Sequence, residues 1–199
     1  MAQKVADVMW QMLASAGVKR CYGIVGDALN PVIDALRRNG KIEFVHVRHE
    51  EYGVFAAVAE AYLSGNPVVV CGTAGPGVTH LFNGLMDARK EGAAIIAIAG
   101  DVETRLMDTA ALEELNPYKF FDAACLYVGC VVNPEQARAV ITTRDFDGRC
   151  GQGADGDLDA WRHRIGKRTG PFVPRGIDSR STGISPSRCG SGQARGNDL

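Results

Sequence analysis

Two stretches of the chain, Val68-Val69-Val70-Cys71 and Ala94-Ile95-Ile96-Ala97-Ile98-Ala99, carry apolar side chains at every position. Successive side chains of a strand point to opposite faces, so strands built this way need apolar cover on both sides at once. That requirement selects a parallel sheet held between helices over a sheet with one wet face. The runs Arg20–Val25, Ile42–Val47, Pro67–Cys71, Ala94–Ala99 and Ala124–Val132, each bounded by Gly, Asp or Asn, read as strands. Helices fill the intervals. Val5, Val8, Met9, Met12 and Leu13 recur at helical spacing ahead of Gly17, which predicts a helix over 3–16. Leu29–Arg38, Glu50–Ser64, Val78–Lys90 and Pro134–Thr142 supply the others. The expected fold class is α/β, a doubly wound, mostly parallel sheet with helices on both faces, followed by an irregular tail.

Composition changes sharply after Thr142. The tail 143–199 holds 11 of the 24 glycines, 10 of the 22 basic residues, 7 Asp and no Glu, and only 14 of its 57 residues are apolar. The first part carries 12 basic against 16 acidic residues, whereas the tail carries 10 against 7. Two segments so different cannot follow one folding logic, which places a boundary near 142. The expected organisation is an incomplete folded domain over 1–142 and a disordered or non-native tail over 143–199, without a packed core.

Several function classes fall away on charge and hydropathy. The net formal charge of −1 gives no polybasic footprint for nucleic acid, and no apolar run approaches the roughly 20 residues of a spanning helix. Asp7 stands where the apolar region of a signal peptide would begin, so a cytoplasmic location is expected. Six cysteines without a C-x-x-C pair do not make a disulfide scaffold, and Cys21 and Cys71 sit in apolar runs as small buried hydrophobes. Histidines 46, 49, 80 and 163 show no metal-ligand spacing, so no metal site is assigned.

In an open α/β sheet, ligands bind beyond the carboxyl ends of the strands. Three loops qualify: Gly23-Ile24-Val25-Gly26-Asp27, Arg48-His49-Glu50-Glu51 and Gly72-Thr73-Ala74-Gly75-Pro76-Gly77. The last can present helix amides to an anion. Its G-x-x-G-x-G order after the third strand is not the dinucleotide fingerprint, which needs G-x-G-x-x-G after the first. Glu50 and Glu51 open a helix, where carboxylates suit the positive dipole end, and that alone accounts for them. Yet Tyr52 to Ala61 are almost all small or apolar, so the helix is buried and one of its acids with it; a buried acid needs a partner. For His80, three residues from Asn83 on one helix face and close to Thr79, local hydrogen bonding is the expected role.

Val47-Arg48-His49-Glu50-Glu51, taken with Ala74-Gly75-Pro76-Gly77-Val78-Thr79-His80-Leu81-Phe82-Asn83-Gly84-Leu85-Met86-Asp87-Ala88-Arg89, resembles the N-terminal, pyrimidine-binding domain of thiamine diphosphate enzymes. The likeness is strongest to the pyruvate oxidase and quinone-dependent pyruvate dehydrogenase branch and runs from Val5 to Thr142. It implies that Glu50 is the catalytic acid that hydrogen-bonds N1′ of the cofactor's aminopyrimidine, favouring the 4′-imino form that removes the thiazolium C2 proton ahead of attack on a 2-oxo acid. It further implies that Val25, Gly26, Thr73, Pro76 and Asn83 join Glu50 around that ring. Val25 stands where many members have proline, and Leu112-Glu113-Glu114 where many carry Phe-Gln-Glu; the extra negative charge at Glu113 disfavours an anionic substrate.

The resemblance also implies what lies elsewhere. Family enzymes hold Mg²⁺ and the diphosphate through a Gly-Asp-Gly…Asn-Asn motif in a C-terminal domain of a second subunit, and oxidase members bind FAD in a middle domain. Neither that motif nor a middle domain occurs in these 199 residues, so a partial thiamine diphosphate site, not an independent enzyme, is expected. The implied partner is a second copy or a full-length homologue across the cofactor site, and a non-catalytic module pairing with such a homologue is the alternative. The family's closing helix and strand are replaced by the tail. Arg144 to Arg164 can be back-translated with permitted codons so that the bases, read one position later, give AISTAVAAKGPTVISTPGDIA, which makes a frame change the expected origin of 143–199.

Overall fold

The computed structural model describes residues 4–131, 134–142 and 170–174. The frame argument over 144–164 and most of the expected irregular tail therefore lie outside the described residues. In chain order the elements are α1 (Val5–Ser15), β1 (Arg20–Gly23), α2 (Asn30–Asn39), β2 (Glu43–His46), α3 (Glu50–Ser64) and β3 (Val68–Gly72). They continue with α4 (Pro76–Glu91), β4 (Ile95–Ala99), α5 (Pro117–Phe121), β5 (Gly129–Val131), α6 (Pro134–Thr142) and β6 (Gly170–Pro174). The described strands form one sheet in the order β2-β1-β3-β4-β6-β5, every pair parallel.

Alternation along the central strands divides the core in two. Val68 and Val70 join α3 and α4 on one face, through Val54, Ala57, Leu81 and Leu85. Val69 and Cys71 join α1, α2 and α6 on the other, through Trp10, Leu13, Leu36 and Ala137. Both faces of β3 are dry, and all five of its residues are buried. Trp10 keeps its polar atom satisfied inside this core, since Nε1–H donates to the Val32 carbonyl at 2.7 Å.

Helix ends follow local chemistry. Gly40, Gly65 and Gly92 close α2, α3 and α4 in the left-handed conformation that favours glycine. Pro76 starts α4, where the missing N–H costs nothing. Two elements escape the sequence pattern. The five-residue α5 is too short to show a period; it is set by Asn116, whose side chain accepts from the Lys119 N–H at 3.1 Å, and by Pro117. The other is β6, inside the glycine- and arginine-rich tail, which pairs with β4 on one side and β5 on the other.

Helices α3 and α4 approach closely because Gly84 has no side chain: a Cβ there would lie 2.5 Å from the Val54 Cβ. At the outer edge, Glu60 of α3 binds β1, accepting from Arg20 Nη1 at 2.7 Å and from the Tyr22 hydroxyl at 2.7 Å. Gly84→Ala should push the two helices apart and cost about 1–3 kcal/mol, read as a lowered urea midpoint with an unchanged slope. Burial, and then Glu60, raise the Tyr22 hydroxyl from its ordinary 10.0 to about 12. The folded chain therefore keeps a proton that the unfolded chain releases, so this contribution is full below pH 10 and disappears as pH rises through 12. Between about pH 9 and pH 11 the wild-type urea midpoint should fall more steeply than that of Tyr22→Phe; parallel profiles would contradict this.

Candidate functional site

The three loops at the carboxyl ends of β1, β2 and β3 meet around one buried carboxylate. Glu50, the first residue of α3, is 6% exposed, although carboxylates are rarely buried without a partner. The partner is His80 on the first turns of α4, whose Nδ1 shares a 2.9 Å hydrogen bond with Glu50 Oε2. Among the described residues Glu50 Oε1 has no hydrogen-bond partner. It faces Gly77, where an added Cβ would come within 3.2 Å of it.

Glycines make this space. Gly75 adopts φ 65° and ψ −117°, a backbone conformation that side chains resist, and so turns the chain from β3 into α4. A Cβ on Gly72 would lie 2.2 Å from the Gly77 carbonyl oxygen, so strand end and helix start touch. A Cβ on Gly77 would meet Thr73 Cγ2 at 2.9 Å, and one on Gly26 would meet the Thr73 side chain at 2.3 Å. Gly26, Thr73, Gly77 and Glu50 are thus contiguous, with Gly26 and Thr73 half-buried.

The other sequence-predicted site residues lie at the rim. Val25 is 45% exposed, and Pro76 and Asn83 are exposed. Asn83 Nδ2 donates to Glu51 Oε1 at 2.6 Å, so the two adjacent acids are divided between two residues of α4: Glu50 goes to His80 and Glu51 to Asn83. His49 caps α3, its Nδ1 accepting from the Glu51 N–H at 3.3 Å, and its ring stacks on His80 with centroids 4.3 Å apart. Sequence reasoning asked for a partner to a buried acid but gave His80 only local bonds. The available signal was that His80 lies one turn beyond the glycine loop, at the strand edge where Glu50 also sits.

The departure at Leu112-Glu113-Glu114 also reaches this edge. Asp108, Ala110 and Glu113 all have positive φ, and Glu113 packs against Gly75, where a Cβ would meet it at 2.8 Å. Glu114 holds the loop by accepting from the Asp108 and Ala111 amides. Leu112 is 90% exposed beside it.

The family model of the thiamine pyrophosphate enzyme N-terminal TPP binding domain matches residues 3–120. The chain belongs to this family. As a thiamine pyrophosphate enzyme N-terminal domain it is 44% identical, over 69% of its length, to the 42.6 kDa protein of the isoamylase 3′ region of Pseudomonas amyloderamosa. It is 39% identical, over 66% of its length, to pyruvate oxidase of Lactiplantibacillus plantarum. Over 56% of its length it is 38% identical to chloroplastic acetolactate synthase of Arabidopsis thaliana. The matched region spans 35%, 22% and 17% of those three relatives respectively. Among the described residues no helix is long and apolar enough to cross a membrane.

Proposed function

We propose that this chain, through its 1–142 part, contributes the aminopyrimidine half of a thiamine diphosphate site in an enzyme that decarboxylates 2-oxo acids, with Glu50 as the acid facing N1′. The observation that carries this reading is the Glu50 carboxyl itself: buried, held by His80 through one oxygen, and open through the other beside Gly77. A buried acceptor left without a partner costs about 1–3 kcal/mol, which a ring nitrogen sharing its proton would recover. The absent side chains at Gly26 and Gly77 let Thr73 pack against both turns beside the Glu50 carboxyl, which brings the backbone of the two turns to the acid.

The chemistry that thiamine diphosphate supplies when bound is an electron sink for the bond a 2-oxo acid breaks on losing carbon dioxide. The chain's own residues have narrower tasks. Glu50 holds a proton at the ring nitrogen, and His80 fixes the carboxyl plane and stabilises its charge. Thr73 braces the two glycine turns, with Val25, Pro76 and Asn83 around the opening. Glu113 behind Gly75 adds negative charge near this edge and weighs against small anionic substrates.

The diphosphate, its Mg²⁺ and any FAD are assigned to residues outside this chain, because the sequence has no Gly-Asp-Gly…Asn-Asn motif and covers 22% of the pyruvate oxidase. A second copy or a longer homologue is assigned to the open side. What supports this is the outer face of α3, where Tyr52, Phe55, Tyr62 and Leu63 are exposed at helical spacing.

Calorimetric titration of the full chain tests the reading. Thiamine and thiamine diphosphate should bind with similar affinity, since the chain contacts the ring they share. Glu50→Gln should weaken both about 10- to 100-fold, the loss of a charge-assisted hydrogen bond. Equal binding by wild type and Glu50→Gln would remove Glu50 from the role.

A further inference from the structure

We infer that His49, Glu50 and His80 form a binding site for a divalent transition ion of the zinc type, independently of any role of Glu50 toward thiamine diphosphate. One ligating atom from each of the three residues can be chosen so that all lie within 4.8 Å of one another. His80 Nδ1 and Glu50 Oε2 are already 2.9 Å apart, and the two imidazoles stack with centroids at 4.3 Å and planes 30° apart. Two atoms bound to one tetrahedral zinc at about 2.0–2.1 Å lie about 3.4 Å apart, so closing the set takes a shift of at most about 1.4 Å in its widest pair, which rotation of the half-exposed imidazoles supplies. The ion would take the place of the proton now shared between His80 and Glu50.

The donor set favours this class of ion. Two imidazole nitrogens and one carboxylate oxygen suit zinc with a fourth position left to water, whereas Mg²⁺ and Ca²⁺ take oxygen ligands. His49 accepts a backbone N–H at Nδ1, so that nitrogen carries no proton, as a metal ligand must not; its lone pair is engaged by the Glu51 amide at 3.3 Å, a long bond that coordination would replace. The site is also held from outside. Glu50 is fixed by burial, and Gly84 against Val54 sets the separation of the two helices that carry the ligands. His80, with 40% of its side chain exposed, leaves a way in from solvent. The set lies at the N-terminal end of α3, whose dipole opposes a cation, and the Glu50 carboxylate offsets that field locally.

The test uses the full chain, stripped with chelator and titrated first with Zn²⁺ and then with Co²⁺. One ion should bind per chain, and His49→Ala and His80→Ala should each weaken binding about tenfold or more, with far-UV circular dichroism unchanged. If His80→Ala fails to fold, His80→Gln, which keeps a hydrogen-bonding group for Glu50, makes the same comparison. Bound Co²⁺ should give weak visible bands without a thiolate charge-transfer band in the near ultraviolet. Absence of saturable Zn²⁺ binding, or affinity unchanged by both histidine substitutions, would overturn the inference. So would a thiolate band, which would move the ion to cysteines such as the half-buried Cys130.

Discussion

A carboxylate kept out of water at the junction of two helices is the constraint around which this structure is arranged. Removing such a charge from solvent costs several kcal/mol unless other groups stabilise it. Here the stabilising groups come from three places. The N-terminus of α3 supplies the positive dipole end, His80 supplies a hydrogen bond from α4, and the Gly72–Gly77 turn brings α4 near enough for that bond to form. A side chain at Gly77 would crowd Thr73 and Glu50 together, and one at Gly84 would hold α4 away from α3. The glycines and the acid are therefore one device, not two motifs.

The sheet explains why these residues can be so far apart in the chain. Strands β1, β2 and β3 lie side by side and point the same way, so the loops that follow them open on one edge. The two dry faces of β3 anchor that edge, since the helices packed on both sides cannot shift without exposing core. Glu50 and His80, thirty residues apart, meet because a parallel crossover returns the chain to the same end of the sheet.

Much of this architecture was legible in the sequence because burial on both faces leaves an unmistakable apolar run. The expected bounds of α3, Glu50–Ser64, and of α6, Pro134–Thr142, coincide with the observed helices. The expected strands Arg20–Val25 and Ile42–Val47 are shorter in the structure, ending at Gly23 and His46, because pairing and not hydropathy decides where a ladder stops. The pentapeptide α5 and the strand β6 were not legible. In β6, Pro171 and Pro174 cannot donate to a ladder and so argue locally against a strand, yet the place between β4 and β5 has a partner on each side. The site was legible in its parts, the buried acid and the glycine turn. Its pairings were not, because periodicity shows neighbours three or four residues apart and says nothing of contacts that cross from one helix to another.

Helix α3 carries more apolar surface than its own fold uses. Gly53, Val54, Ala57, Val58 and Ala61 face the core, which is the stripe an ordinary surface helix needs. Tyr52, Phe55, Tyr62 and Leu63 make a second stripe on the opposite side, and Leu63 is 84% exposed. Fully burying one such side chain is worth about 1.5–3 kcal/mol, so a helix that is apolar on both sides is stabilised by a neighbour on each. The first of those residues, Tyr52, follows Glu50 and Glu51 directly and has its ring 5.3 Å from His49. Whatever covers the outer stripe must therefore also reach the mouth of the acid site. A helix built this way carries its unburied apolar stripe up to the entrance of the acid site, so that the packing of one bears on the access to the other.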